Sequence, residues 1–208
     1  MKIRLNKARL SKCFKDNLTL ILIYLLALSF FIWQKLSSVS WDFTVYELNA
    51  KYWIGKSSYF EWERPPLVPF LLYFFALFSS FKTATWLYIA FTTFLYIFTL
   101  NKLMKELKLN TIFLALAFIP FTFIVGLREG TELLALSFLL LSLFWINLSR
   151  KKSSCWQSFL VGLWLGFAFL TRYPMVIFLL LLFFIPGNKK WLSLIGFVLP
   201  LVPWLLYN

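Results

Sequence analysis

Residues 65–81, PPLVPFLLYFFALFSSF, decide the fold of this chain. The block is apolar, but it carries Pro65, Pro66 and Pro69 and runs almost directly into the next apolar block. A membrane-spanning helix needs about 20 apolar residues, so this stretch is short for a crossing and fits an interfacial or re-entrant segment better. The choice sets the topology. If 65–81 crosses a bilayer, every later loop changes side. If it does not, the loop before it and the segment near residue 130 lie on the same face.

The rest of the sequence reads as membrane throughout. Of 208 residues, 61% are hydrophobic and only 14% charged, where soluble domains carry about a quarter charged residues. Apolar blocks recur at about 18–34, 83–100, 110–127, 133–148, 156–171, 174–186 and 191–207, with no hydrophilic domain or repeat between them. This spacing predicts an all-α polytopic membrane protein, a single domain over 1–208. The basic start 1–17, with Lys2, Arg4, Lys7, Arg9, Lys12 and Lys15, imitates a signal peptide. The block after it is long and lacks a small-residue cleavage site, so a retained first helix is expected.

The net charge of +13 points to cytoplasmic loops rich in Lys and Arg rather than to nucleic acid. With 65–81 held at the interface, the N-terminus, Lys102, Lys105, Lys108, Arg150, Lys151, Lys152, Lys189 and Lys190 all face inward. The acids Asp42, Glu47, Glu61, Glu63, Glu129 and Glu132 then face outward. With 65–81 crossing, the inside keeps only the N-terminal six plus Lys82, Arg128 and Arg172. The positive-inside rule therefore favours about seven spans, with an interfacial or re-entrant helix (65–81) after an acidic extracytoplasmic loop (36–64) and the remaining spans over 83–208. The expected location is the plasma membrane, multi-pass, N-terminus in the cytoplasm. Of the two short blocks 156–171 and 174–186, joined by Leu170-Thr171-Arg172-Tyr173-Pro174, either each crosses or both form one kinked span. The first option keeps Lys189 and Lys190 inside.

Chemistry is confined by what is missing. There is no histidine, which excludes a His base, a His-metal site and a Ser-His triad, and leaves carboxylates, Tyr, Lys or Cys to move protons. The two cysteines, Cys13 and Cys155, fall in basic segments expected in the cytoplasm, where thiols stay reduced. Four of the eight acids lie in residues 41–69, and carboxylates beside a bilayer are costly unless they serve a site. Asp42 is the candidate catalytic base. Asp42, Tyr46, Asn49 and Ala50 follow i, i+4, i+7, i+8 spacing and share a helix face; a polar stripe at a membrane surface accounts for them equally well. Glu47 lies toward the other side of that helix, either solvated or turned toward a second wall. Glu61 and Glu63 flank Trp62 and read as solvated loop charges.

Arg64-Pro65-Pro66-Leu67 sets a helix start, since proline has no N–H to leave unpaired. Arg64 also suits bidentate contact with a phosphate or carboxylate. Glu129 and Glu132 lie where a helix begins, which favours acids by its dipole, and equally suits an acid-rich site that Arg128 would neutralise. Arg172, between two apolar helices, needs an anionic partner, and a lipid phosphate would supply one.

The order of these features resembles the GT-C superfamily of membrane glycosyltransferases. It comprises a basic start, one helix, an outer loop with Asp-x-x-x-Tyr-x-x-x-Ala (Asp42, Tyr46, Ala50), Gly55, then Arg64-Pro65-Pro66-Leu67. Arg128–Glu132 before an apolar helix and Gly166–Tyr173 follow in matching order. Within the superfamily it is similar to the branch of protein O-mannosyltransferases and aminoarabinose transferases. The resemblance covers nearly the whole chain, and order rather than any one motif carries it. It implies a polyprenyl-phosphate-sugar donor, transfer to an acceptor hydroxyl on the extracytoplasmic face, Asp42 as general base, Glu129 or Glu132 as a second acid, and Arg64 and Arg172 at the donor phosphate. Glu47 stands as a further acid for substrate or metal, and Tyr46 as a substrate contact. A divalent metal is left open by the number of carboxylates, and no ligand spacing establishes one. The chain departs from the family in having Phe43 after Asp42, where a second acid often stands, and in ending at the seventh expected span. A complementary C-terminal half or subunit is therefore an expected partner. The reading from another class is a non-catalytic membrane protein, a lipid-linked sugar carrier or partner subunit. Polarity gathered at one face rather than through the spans favours surface chemistry.

Overall fold

The computed structural model describes residues 7–38, 40–109, 127–128, 130–151, 154–185 and 189–207, with side chains from Leu18 onward. Every element among these residues is helical: α1 (Lys7–Ser37), α2 (Trp41–Trp53), α3 (Leu67–Ala76), α4 (Phe81–Glu106), α5 (Glu132–Lys151), α6 (Cys155–Thr171), a 3-10 run (Tyr173–Phe184), α7 (Lys190–Val198), a 3-10 turn (Leu199–Leu201) and α8 (Val202–Tyr207). Four segments are long and apolar enough to cross a membrane: Leu18–Ser37, Phe81–Glu106, Glu132–Lys151 and Lys190–Tyr207. The described residues are thus all-helical in their regular structure, with four candidate spans among them. The expected span at 110–127 lies outside the described residues, save Leu127. The 10-residue α3 measures about 15 Å at 1.5 Å per residue, half of a bilayer's apolar core of about 30 Å.

Local chemistry sets the element ends that frame the site. After Ser40, in extended conformation, α2 begins with Asp42 in its first turn, where a carboxylate meets the positive helix end. It stops at Gly55, whose φ of +71° is cheap only without a Cβ. There the Lys56 amide donates to the Lys51 carbonyl (2.8 Å) and the Gly55 amide to the Tyr52 carbonyl (2.9 Å), a Schellman closure that pairs otherwise orphaned carbonyls. α3 starts directly after Pro65-Pro66. Ser80 caps α4 by accepting from the Thr83 amide at 3.2 Å.

The core lies between α4 and its neighbours. The buried face of α4 runs Ala84, Thr85, Tyr88, Ile89, Thr92, Thr93, Tyr96 and Ile97, while Phe91, Phe94 and Phe98 point outward. The outer face of α1, with Leu18, Ile21, Leu22, Leu25 and Leu26, is equally apolar and exposed. Patches of this kind are rare on soluble monomers and suit contact with acyl chains. Buried hydroxyls satisfy themselves on helix carbonyls: Thr93 donates to Ile89 at 2.7 Å and Ser137 to Leu133 at 2.7 Å.

The tightest contact is between α6 and α7. A Cβ added at Gly162 would overlap the Ser193 carbonyl, one at Gly166 the Phe197 carbonyl, and one at Gly196 the Phe159 carbonyl. Small residues spaced four apart let helix backbones approach this closely in membranes. Two serines tie the same bundle across helices: Ser193 donates to the Ser158 carbonyl at 2.6 Å and Ser142 to the Val161 carbonyl at 2.8 Å.

The bundle has two chemically distinct ends. At one, Lys151 pairs with Glu106 at 2.6 Å and Arg150 donates to the Phe184 carbonyl at 3.4 Å. At the other, α2 and the loop after it meet the start of α5 and the end of α6 around a polar cavity, and the end of α1 meets the start of α4 on another side of α2.

Candidate functional site

α2 lies across this second end and presents Asp42 and Tyr46 to the cavity. The loop that follows α2 is clasped back onto it by one residue. Asn49, 2% exposed, donates through Nδ2 to the Glu61 carbonyl at 2.8 Å, while its Oδ1 accepts from the Glu61 amide at 2.8 Å. That reciprocal pair delivers Arg64 to Asp42. The guanidinium bridges Asp42 Oδ1 at 2.9 Å and Glu61 Oε1 at 2.8 Å, and lies 5.9 Å from the centre of the Tyr46 ring. Burial works against the Arg64 charge, but the Glu61 hydrogen bond and the Asp42 charge outweigh it and push its pKa up. Burial also pushes the Tyr46 phenol up to about 12, so at neutral pH it stands as a hydroxyl donor.

The opposite wall comes from the start of α5 and the end of α6. Arg172 pairs with Glu132, and Glu132 Oε2 also accepts from the Thr131 hydroxyl at 3.1 Å. The approach to α5 is held by Gly130 at φ +83°. Its carbonyl accepts from the buried Tyr88 hydroxyl, and the Phe43 ring occupies the space where a Cβ would sit.

Together these walls enclose a cavity of about 650 Å³ lined by Asp42, Tyr46, Glu61, Glu63, Arg64, Pro65, Thr131, Glu132, Arg172, Tyr173 and Pro174. It brings together Asp42, Tyr46, Arg64, Glu132 and Arg172, five of the sequence-predicted site residues. Glu47 is elsewhere: it pairs with Lys35 at 3.1 Å and accepts from Thr85 at 3.2 Å, on a different side of α2. Glu129 lies outside the described residues. Glu61 and Glu63, read from sequence as solvated loop charges, both line the cavity. Sequence reading also missed Asn49 as a clasp, although it stands in the i+7 position of the α2 stripe, and Glu61 as the i−3 partner of Arg64.

Four carboxylates and two guanidiniums share this lining. Asp42 keeps 40% of its side-chain surface exposed, enough to meet a ligand. Among the described residues no three Asp, Glu or Cys side chains converge to hold a metal ion.

A second cavity of about 650 Å³ adjoins the first and is almost wholly apolar; Pro66, Leu67, Phe70, Phe167, Leu170 and Trp204 are among its walls. The two linings draw on neighbouring residues at two places. Pro65 borders the polar cavity and Pro66 the groove, and Arg172 and Leu170 divide in the same way. At the groove's edge, Trp53 Nε1 donates to the Tyr207 hydroxyl at 3.2 Å.

The chain matches no protein-family model, no curated protein and no solved structure.

Proposed function

We propose that this chain is a membrane glycosyltransferase of the GT-C type, moving a sugar from a polyprenyl-phosphate donor to an acceptor hydroxyl on the extracytoplasmic face. One observation carries the reading: a polar cavity holding Asp42, Tyr46, Arg64, Glu132 and Arg172 lies beside an apolar groove lined by their neighbours in sequence, Pro66, Leu67 and Leu170 among them. A donor with a charged phosphate-sugar head and a long isoprenoid tail has the same division of chemistry. The tail lies along Phe70, Phe167 and Trp204, and the phosphate reaches Arg172 or Arg64.

In the transfer, Asp42 accepts the proton of the acceptor hydroxyl as its oxygen bonds to the anomeric carbon. The bond from that carbon to the phosphate oxygen breaks, polyprenyl phosphate leaves as an anion, and the configuration inverts. The arginines stabilise the charge growing on the departing phosphate. Tyr46, protonated, orients a sugar or phosphate oxygen by donating to it. Glu132 holds Arg172 until the donor phosphate competes for the guanidinium.

The orientation belongs to the same proposal: seven crossings in the plasma membrane, α3 at the interface, the N-terminus in the cytoplasm. It is supported by the meeting of loop 41–64 with Thr131 and Glu132 in one cavity. An even number of crossings between them satisfies that meeting, and a crossing α3 would make the number odd.

The second reading, a non-catalytic carrier or partner subunit, draws on one observation. Both arginines are already paired with carboxylates, as in a site that holds a ligand without driving a reaction. Transfer of radiolabelled sugar from a panel of polyprenyl-phosphate sugars separates the two. The enzyme reading expects transfer that falls at least about a hundredfold in Asp42→Asn, the usual scale of a general base. Full transfer in a folded Asp42→Asn protein removes Asp42 from its role, and donor binding without transfer by either protein favours the carrier.

A further inference from the structure

α2 separates the polar cavity from another, cationic one at the same end of the bundle. This second site encloses about 430 Å³ and is lined by Lys35, Leu36, Glu47, Lys51, Phe81, Lys82, Thr85 and Trp86. Three ammonium groups share it with one carboxylate, and that carboxylate is engaged: Glu47 pairs with Lys35 at 3.1 Å and accepts from Thr85 at 3.2 Å. Lys51 Nζ rests over the Phe81 ring, 4.8 Å from its centre, and neither it nor Lys82 has a carboxylate within ion-pair distance among the described residues. Lys82 also stands in the first turn of α4, which carries no acidic residue. A cation there opposes the positive end of the helix dipole. This arrangement is self-repulsive when empty and becomes favourable once an anion enters.

The surroundings say which anion. The cavity lies where α1 ends and α4 begins, the ends of two candidate spans. Trp33 and Leu36 on α1 and Leu87 on α4 are exposed there, and Trp86 lines the wall. Tryptophans with lysines at the end of a span mark headgroup depth in a bilayer. We propose that Lys51 and Lys82 form a binding site for the phosphate of an anionic membrane phospholipid, with Lys35 held in place by Glu47 as the third cation. The acyl chains lie against the apolar outer faces of α1 and α4. This site is independent of the glycosyltransferase reading and stands or falls without it.

The test is thermal unfolding of the purified full chain in a neutral detergent, followed by tryptophan fluorescence. Phosphatidylglycerol, phosphatidylcholine and inorganic phosphate are added separately. A ligand that binds the folded state raises the midpoint in proportion to its occupancy. Phosphatidylglycerol is expected to raise it by several degrees, and phosphatidylcholine and inorganic phosphate by little. The double variant Lys51→Gln/Lys82→Gln should fold with a lipid-free midpoint at or above the parent's and lose most of the response, while Lys56→Gln, outside the cavity, retains it. An equal response to the two lipids, or a full response in the double variant, overturns the site. A response to inorganic phosphate as large as that to phosphatidylglycerol overturns the lipid as its occupant.

Discussion

Glu132 has 6% of its side chain exposed and Arg172 has 42%, so the two members of this pair lose different things when separated. Removing Arg172 strands a buried carboxylate supported only by Thr131 and its own backbone amide. Removing the charge of Glu132 leaves a guanidinium that can turn toward water. Uncompensated buried charges are the costly case, so Arg172→Ala should destabilise the protein by about 2 kcal/mol or more and Glu132→Gln by clearly less. The double variant Arg172→Ala/Glu132→Gln should recover much of the loss, because no buried charge is left unpaired. Thermal unfolding of the four proteins in detergent checks this, and equal losses in the two single variants would contradict it. At this scale the sequence was partly legible. Arg172 called for an anion by its position between apolar helices, but nothing in the sequence said that the anion is Glu132, 40 residues away. The clasp by Asn49 was hidden for a similar reason: a stripe at i, i+4, i+7 shows which side chains share a face, not which loop folds back onto them.

The glycines of α6 and α7 act at the scale of the element. Gly162 and Gly166 stand four apart and face the backbone of α7, while Ser193 reaches the Ser158 carbonyl beside them. A larger side chain at Gly166 has backbone and Pro200 in its way, with no flexible chain end to yield. Gly166→Leu should therefore push α7 away and cost about 1–3 kcal/mol, the usual range for overpacking. Leu163→Met, a volume-conserving change between the two glycines, should cost far less. Unfolding midpoints in detergent distinguish the two, and a Gly166→Leu protein as stable as the parent would show that α7 is not held at this contact. One element end was read where local chemistry sets it, Pro65-Pro66 opening α3; the closure of α2 at Gly55 and the cap of α4 by Ser80 emerge only from the structure. Less readable was 174–186, an apolar block that becomes a 12-residue 3-10 run. Apolarity alone does not separate 3.0 from 3.6 residues per turn, and 3-10 runs of this length are uncommon.

At the scale of the whole molecule, the question posed by residues 65–81 becomes one of counting crossings. Ser58, exposed in the loop after α2, and Cys155, exposed at the start of α6, are separated by α3, α4, residues 110–126 and α5. On the proposed topology, in which 110–126 also crosses, an interfacial α3 leaves three crossings between the two positions, and they face opposite sides of the membrane. If α3 crosses, four separate them and they face the same side. The 10 residues of α3 span about 15 Å, and the polar cavity joins residues on either side of it, so opposite sides are expected. The check uses two single-cysteine proteins: Cys13→Ser, which keeps Cys155, and Cys13→Ser/Cys155→Ser/Ser58→Cys. A membrane-impermeant maleimide should label Ser58→Cys in intact cells and Cys155 only after permeabilisation. Labelling of both from the same side would overturn the proposed count of crossings between them. Labelling of Cys155 alone from outside would keep α3 at the interface but invert the chain, against the placement of its lysines and arginines. The polar cavity would then open to the cytoplasm, and an extracytoplasmic acceptor would be ruled out along with it.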